Sequence, residues 1–119
     1  MTLRYAHVRL LGTFLALLPA SSLANANANA GASVFKDVCA ACHGANGEGT
    51  TSGQTQAPPL KGSAFVKSAS PDELKSLIKF GRTGAAKKFK EIPQGMPAQA
   101  LSEAEMTDII PYIQVELQK

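Results

Sequence analysis

The chain has 119 residues, with 12 basic and 9 acidic side chains, two cysteines and no tryptophan. A chain of this length forms one small domain rather than several. Its net charge of +3 is far weaker than the strongly basic character typical of nucleic-acid-binding proteins, so we expect no nucleic-acid partner.

Residues 1–24 have the composition of an export signal. Basic residues precede a short apolar run at 10–18, and the small residues Ser22 and Ala24 predict cleavage after Ala24. The apolar run has nine residues, whereas a membrane-spanning helix needs about 20. We therefore expect an exported mature protein that is not stably inserted in a membrane. A signal retained as an anchor is the alternative.

Residues 25–30 alternate asparagine with alanine. They contain no bulky apolar side chain whose burial would offset the loss of chain entropy. The sequence therefore predicts a disordered leader over 25–30 and one folded domain over 31–119. The core of that domain would be thin because it has few aromatic residues, and a large buried apolar cofactor would fill it.

A first helix is predicted from about Ala32 into a motif at 39–43, and its apolar face contains Val34, Phe35 and Val38. The motif reads Cys39-Ala40-Ala41-Cys42-His43, which is the spacing of covalent haem attachment. Each thiol can add to a vinyl group of the porphyrin, and the adjacent histidine is then an axial ligand of the iron. The motif thus predicts one covalently bound haem c.

Two other kinds of site use the same cysteine spacing. A redox dithiol usually lies where a strand leads into a helix, and no strand-like run precedes Cys39. A structural zinc site needs four nitrogen or sulfur ligands, and the chain offers only Cys39, Cys42, His43 and the distant His7. The dithiol is the main alternative to haem attachment.

A rigid run, Ala57-Pro58-Pro59-Leu60, follows a glycine-rich loop in which we find no candidate functional residue. Its prolines remove N–H donors and leave carbonyl groups free to accept hydrogen bonds. A metal-bound histidine usually donates its second ring N–H to such an acceptor. The run is therefore a candidate partner of His43, and an ordinary proline-rich turn is the alternative.

Capping residues predict two further helices. One spans 70–81 and begins with a capping box at Ser70. The last begins at Ser102 with a second capping box. Pro111 lies inside this last helix and predicts a kink near Thr107, because a proline cannot donate the helical hydrogen bond.

The second axial ligand cannot be another histidine of this chain, because His43 is the only one left after removal of the signal. A thioether, an amine or an open position remains. Met106 lies on the apolar face of the last helix and is explained as a core residue. Met96 stands between Gly95 and Pro97, where glycine allows close backbone approach and proline restricts the chain. Met96 is therefore the predicted ligand, and a loop methionine that only fills a gap is the alternative. A thioether opposite an imidazole raises the reduction potential of the iron.

These features together resemble a small monohaem class I cytochrome c. The residues that carry the resemblance are Gly31, Phe35, the motif at 39–43, Pro58 to Leu60, Met96-Pro97 and Tyr112. The resemblance implies an all-α cytochrome c fold, in which three to five short helices wrap around one covalently bound haem. It also implies that the N- and C-terminal helices cross near Gly31, and that the Pro58 carbonyl is the hydrogen-bond partner of His43.

The same resemblance implies a function. Such proteins are one-electron carriers that use a haem with histidine and methionine ligands, and they are not enzymes. Because their haem is attached outside the bacterial inner membrane, the export signal and the motif both predict a monomer in the periplasm that shuttles electrons between redox proteins. A haem-c subunit or domain of a larger oxidoreductase is one alternative. A haem sensor or enzyme is another, if the sixth ligand is labile.

Charge is unevenly distributed along the chain. Residues 61–90 contain eight basic and two acidic residues, and five acidic residues follow from Glu91 onward. If Lys87, Lys88 and Lys90 lie beside the haem edge, they would steer a redox partner that has an acidic docking surface. A solvated lysine face is the alternative.

Overall fold

The computed structural model describes residues 21–53 and 55–119, so the predictions for residues 1–20 lie outside the described residues. Within these two ranges the protein is all-α, as predicted, and has no β-strand. The helices are α1 (Ser21–Val34), α2 (Ala40–His43), α3 (Ala64–Ser68), α4 (Pro71–Phe80) and α5 (Glu103–Pro111). Shorter elements are the π-helical turns Phe35–Cys39 and Tyr112–Glu116 and the 3-10 turn Gly84–Ala86. None of the helices in the described ranges is long and apolar enough to cross a membrane.

Helix α1 covers Ser21–Val34 of the described residues, whereas the sequence predicts a helix only from about Ala32. It includes residues 25–30, for which the sequence predicts a disordered leader. Alanine is the strongest helix former, and a helix that already exists can be extended without a new nucleation step. Residues 25–30 directly precede the part of α1 that packs on the domain. Helical conformation can therefore propagate into them although they have nothing bulky to bury.

The N- and C-terminal helices cross at Gly31, as predicted. A Cβ atom on Gly31 would lie 2.5 Å from the carbonyl oxygen of Asp108 and 2.5 Å from Cβ of Tyr112. The rings of Phe35 and Tyr112 pack beside this contact, with their centroids 5.7 Å apart. The absence of a side chain at Gly31 therefore lets the two helices approach closely.

We expect Gly31→Val to destabilise the protein by about 1–3 kcal/mol, because the valine would force the crossing helices apart. The measurement is the free energy of unfolding from a denaturant titration of the haem-loaded protein. Ser33→Val is the matched control, since Ser33 is exposed on the same helix and the change introduces the same β-branched side chain. Equal stability losses in the two variants would contradict the close crossing.

Helices α4 and α5 begin at the predicted capping residues. The Ser70 hydroxyl oxygen accepts a hydrogen bond from the N–H of Glu73 at 3.1 Å. Ser102 and Glu105 form a full capping box, in which the Glu105 carboxylate accepts from the N–H of Ser102 at 2.8 Å. Local sequence chemistry is therefore sufficient to fix where both helices start.

The helix type changes directly after Pro111. Helix α5 continues through Thr107 to Pro111, and the chain then continues as the π-helical turn Tyr112–Glu116. Pro111 is exposed and closes α5 as its last residue. The change in hydrogen-bonding pattern thus follows the proline, and the kink expected near Thr107 stays a prediction.

One apolar core joins the terminal helices to α3 and α4. Phe35 and Ile109 are its most deeply buried side chains, and Met106 is buried with them, as predicted for a core methionine. The other members are Val66, Ala69, Leu74, Ile78, Ile110, Ile113 and Leu117. Leu74, Ile78 and Ile113 also line an adjacent cavity, so the core forms part of its wall.

Candidate functional site

A cavity of about 640 Å³ lies against this core. Cofactor sites in proteins commonly have volumes of roughly 300–1,000 Å³ and mostly apolar walls, and the lining here is mostly apolar too. Cys39, Cys42, His43 and Met96 are all lining residues of this cavity. The fold thus brings the motif and the methionine loop, which are distant in sequence, to one cavity.

His43 is oriented by the backbone of the proline run. Its Nδ1 lies 2.9 Å from the carbonyl oxygen of Pro58. Because a carbonyl can only accept, Nδ1 carries the proton and donates, which leaves the lone pair of Nε2 for a metal. Burial lowers the pKa of His43 from its usual 6.5, while the hydrogen bond to Pro58 acts in the opposite direction. The resulting neutral imidazole is the form that ligates metals.

The loop that follows His43 has a structural role for which its sequence gives no signal. The N–H of Gly49 donates to the carbonyl of His43 at 2.7 Å. The hydroxyl of Thr50 donates to the carbonyl of Cys42 at 2.7 Å. Thr50 also exchanges two backbone hydrogen bonds of 2.9 and 3.1 Å with Ala57. The loop therefore ties the proline run to the motif, and its turn-forming composition alone could not reveal this.

Cys39 and Cys42 are free, partly buried thiols that line the cavity. They are three positions apart in a helical segment, a spacing that places side chains on one face. Burial, and then the neighbouring Cys42, raise the pKa of Cys39 to about 11. A redox dithiol needs a thiol with a lowered pKa, because the thiolate is the reactive form. This environment therefore disfavours the dithiol alternative.

The zinc alternative also lacks support. In the part of the chain that the structure describes, no group of three or more histidine, cysteine, aspartate or glutamate side chains could hold a metal ion. A structural zinc site requires four such ligands. The thiols and the single imidazole thus fit a haem better than a bare metal ion.

The Met96 loop is fixed to the end of α4. Arg82 and Met96 exchange two backbone hydrogen bonds of 2.7 and 2.9 Å. Gly95 packs against the backbone of Arg82 and Thr83, and a Cβ on Gly95 would lie 2.6 Å from Cα of Thr83. The close approach predicted for Gly95 is thus present. The backbone of Met96 is held while its side chain packs against the core and lines the cavity.

Two lysines of the predicted docking surface brace their own loop. The ammonium group of Lys87 donates to the carbonyls of Ile92 and Pro93 at 2.7 and 3.0 Å. The ammonium group of Lys90 donates to the carbonyl of Ala85 at 3.0 Å. Their charge remains near the surface, but their positions are set by these backbone contacts.

Lys88 is exposed, and its ammonium nitrogen stands 4.8 Å from the ring centroid of Phe65. The guanidinium of Arg82 lies 5.1 Å from the same centroid. Lys88, Arg82 and Phe65 all line the cavity, so two positive charges and an aromatic ring meet at its wall. A count of charges along the sequence does not show that Arg82 lies beside Lys88 and Phe65 at the cavity.

The family model for cytochrome c matches residues 28–115, which is most of the chain. The match includes the cysteine and histidine motif, the proline run and the Met96 loop. No curated protein matches the sequence. The chain therefore belongs to the cytochrome c family, as a small class I c-type cytochrome.

Proposed function

We propose that this protein is a one-electron carrier that holds one covalently attached haem c, with His43 and Met96 as its axial ligands. Membership of the cytochrome c family supports haem-based electron transfer in general. A haem bound in the cavity supplies an iron that can gain and lose one electron. The observation that carries the proposal is the convergence of two thiols, one oriented imidazole and one thioether on a single apolar cavity.

Each side chain has a distinct task. The thiols of Cys39 and Cys42 would each form one thioether bond, which makes attachment permanent. Nε2 of His43 would bind the iron, because Nδ1 is already committed to Pro58. The sulfur of Met96 would occupy the sixth position and favour the ferrous state. With both axial positions filled by protein, no open position remains for oxygen or peroxide, so the chain would have no enzymatic activity.

The experiment that tests this function is a spectroelectrochemical titration of the purified protein. A carrier is expected to give a single reversible one-electron transition that is the same in the oxidative and reductive directions. Addition of hydrogen peroxide to the reduced protein should give no sustained turnover of peroxide. Sustained turnover, or an irreversible transition, would overturn the carrier in favour of a haem enzyme.

We further propose that redox partners with acidic surfaces dock at the cavity edge beside Lys88 and Arg82. Arg82 and Lys88 line the cavity, and so does Lys87, but the ammonium groups of Lys87 and Lys90 donate to carbonyls of their own loop. Opposite charges accelerate encounter, and salt screens the effect.

Lys88→Glu is expected to slow reduction of an anionic oxidant, hexacyanoferrate(III), by roughly fivefold to tenfold at low ionic strength. The same change should speed reduction of the cationic hexaammineruthenium(III), and high salt should remove both effects. Lys36→Glu is the matched control, because Lys36 is exposed and lies outside the cavity lining. Rates that do not depend on ionic strength would contradict steering at this edge.

We also propose that the mature protein is exported to the periplasm as a monomer. The support comes from the composition of residues 1–24 and from the chemistry of haem attachment. N-terminal sequencing of the protein recovered by osmotic shock tests this location. A new N-terminus between Asn25 and Gly31 is expected, and recovery of the intact chain in the membrane fraction would contradict it.

A further inference from the structure

Gln118 connects the segment after the last helical turn to the proline run. Its side-chain nitrogen donates to the carbonyl of Leu60 at 3.0 Å and to the carbonyl of Ile113 at 2.9 Å. Its side-chain oxygen accepts from the N–H of Gly62 at 2.8 Å. One amide side chain thus fixes Leu60 and Gly62 relative to the last helical turn.

Leu60 is also held from its other side. Its N–H donates to the carbonyl of Gly47 at 2.8 Å, and the N–H of Lys61 donates to the same carbonyl at 2.9 Å. Gly47 in turn packs against the Leu117 side chain, because a Cβ on Gly47 would lie 2.7 Å from a Leu117 methyl carbon. Both backbone polar groups of Leu60 are therefore held: the N–H by Gly47 and the carbonyl by Gln118. Gly47 in turn packs on Leu117, so the C-terminal segment supports both contacts.

The restraint is close to the axial histidine. Pro58, whose carbonyl accepts from His43 Nδ1 at 2.9 Å, is separated from Leu60 only by Pro59. Proline has a fixed φ, and the residue before a proline is restricted as well, so the rotation available between Leu60 and the Pro58 carbonyl is reduced. A hydrogen bond to the outer nitrogen of a metal-bound imidazole fixes its orientation and raises its basicity.

We propose that Gln118 is a positioning residue for His43: it holds Leu60, and through the rigid prolines it keeps the Pro58 carbonyl in place on His43 Nδ1. The inference rests on the proposed role of His43 as an axial ligand. Loss of the restraint would weaken the hydrogen bond and lower the basicity of the imidazole. A less basic imidazole stabilises ferric iron less, so the midpoint potential should rise.

The test compares Gln118→Ala with Gln114→Ala in the haem-loaded protein. Gln114 is the matched control, because its side-chain nitrogen also donates to two backbone carbonyls, those of Val66 and Ala69 at 3.1 and 2.8 Å. It therefore restrains α3 and not the proline run. Gln118→Ala should raise the midpoint potential. It removes a hydrogen bond to the Leu60 carbonyl and so loosens this segment, although the Leu60 amide stays bonded to Gly47. Hydrogen exchange of the Leu60 amide and of the His43 Nδ1 proton should therefore speed up by roughly fivefold, the effect of losing one restraining hydrogen bond. Gln114→Ala should change neither.

Three outcomes would overturn the proposal: equal potential shifts in both variants, no shift in Gln118→Ala, or unchanged exchange at Leu60 and His43. If Gln118→Ala does not fold, Gln118→Glu is used, because it keeps the acceptor for Gly62 and removes the donor to Leu60. The two exchange rates do not depend on the sixth ligand. A wild-type protein without a methionine-ligated iron would thus refute the proposed carrier while the exchange rates still decide the role of Gln118.

Discussion

Met96→Ala is expected to lower the midpoint potential of the iron by roughly 0.1 V or more and to open it to carbon monoxide. A thioether ligand from Met96 would favour the ferrous state, and its loss would leave the sixth position to water or another weak ligand. The weak long-wavelength band that arises from a sulfur–iron bond in the oxidised protein should vanish at the same time. The measurement is a spectroelectrochemical titration combined with the spectrum of the oxidised form.

Met106→Leu is the control for that experiment. Met106 is buried in the core, and leucine is of similar volume, so the cost in stability should stay below about 1.5 kcal/mol. Its potential and long-wavelength band should match those of the wild type. Loss of the band in Met106→Leu, with retention in Met96→Ala, would show that Met106 and not Met96 is the ligand.

The double variant Cys39→Ala/Cys42→Ala is expected to lose covalent haem entirely. Haem in the wild type should remain with the polypeptide after denaturation, because thioether bonds survive unfolding. In the double variant the haem should dissociate completely from the denatured chain. The measurement is the mass of the denatured chain, together with the haem signal that migrates with it on a denaturing gel.

The single variants separate haem attachment from a redox dithiol. Cys39→Ala and Cys42→Ala should each retain haem through the remaining thioether, although with lower yield. A dithiol protein would instead show no added mass, and its two thiols would form a disulfide on oxidation. The raised pKa of Cys39 already argues against such reactivity. A haem-free wild-type chain with a Cys39–Cys42 disulfide would contradict haem attachment.

Features that depend on neighbouring residues were predictable from the sequence. The caps at Ser70 and Ser102 follow from the side chains of the first helical turn. The Gly31 crossing was accessible only through the resemblance to a family, because a glycine does not reveal what packs against it. The Met96 loop was predictable in part. Gly95 indicates that the backbone comes close to another segment, but the sequence does not show that this segment contains Arg82.

Contacts between distant residues were not predictable in the same way. Gln118 and Leu60 are 58 positions apart, and nothing in either residue type announces their hydrogen bond. Thr50 lies in a loop of turn-forming residues, and only the structure shows that its hydroxyl donates to the carbonyl of Cys42. The helical conformation of residues 25–30 was missed for another reason: the composition indicates what can be buried, whereas a helix can propagate without burial.

The most direct test of a haem held by His43 and Met96 is the optical spectrum of the purified wild-type protein in both oxidation states, with and without carbon monoxide. We expect a low-spin c-type spectrum when reduced, a weak long-wavelength sulfur–iron band when oxidised, and no rapid binding of carbon monoxide. High-spin iron that binds carbon monoxide at once would show an open sixth position, and it would contradict the electron carrier in favour of a haem sensor or enzyme.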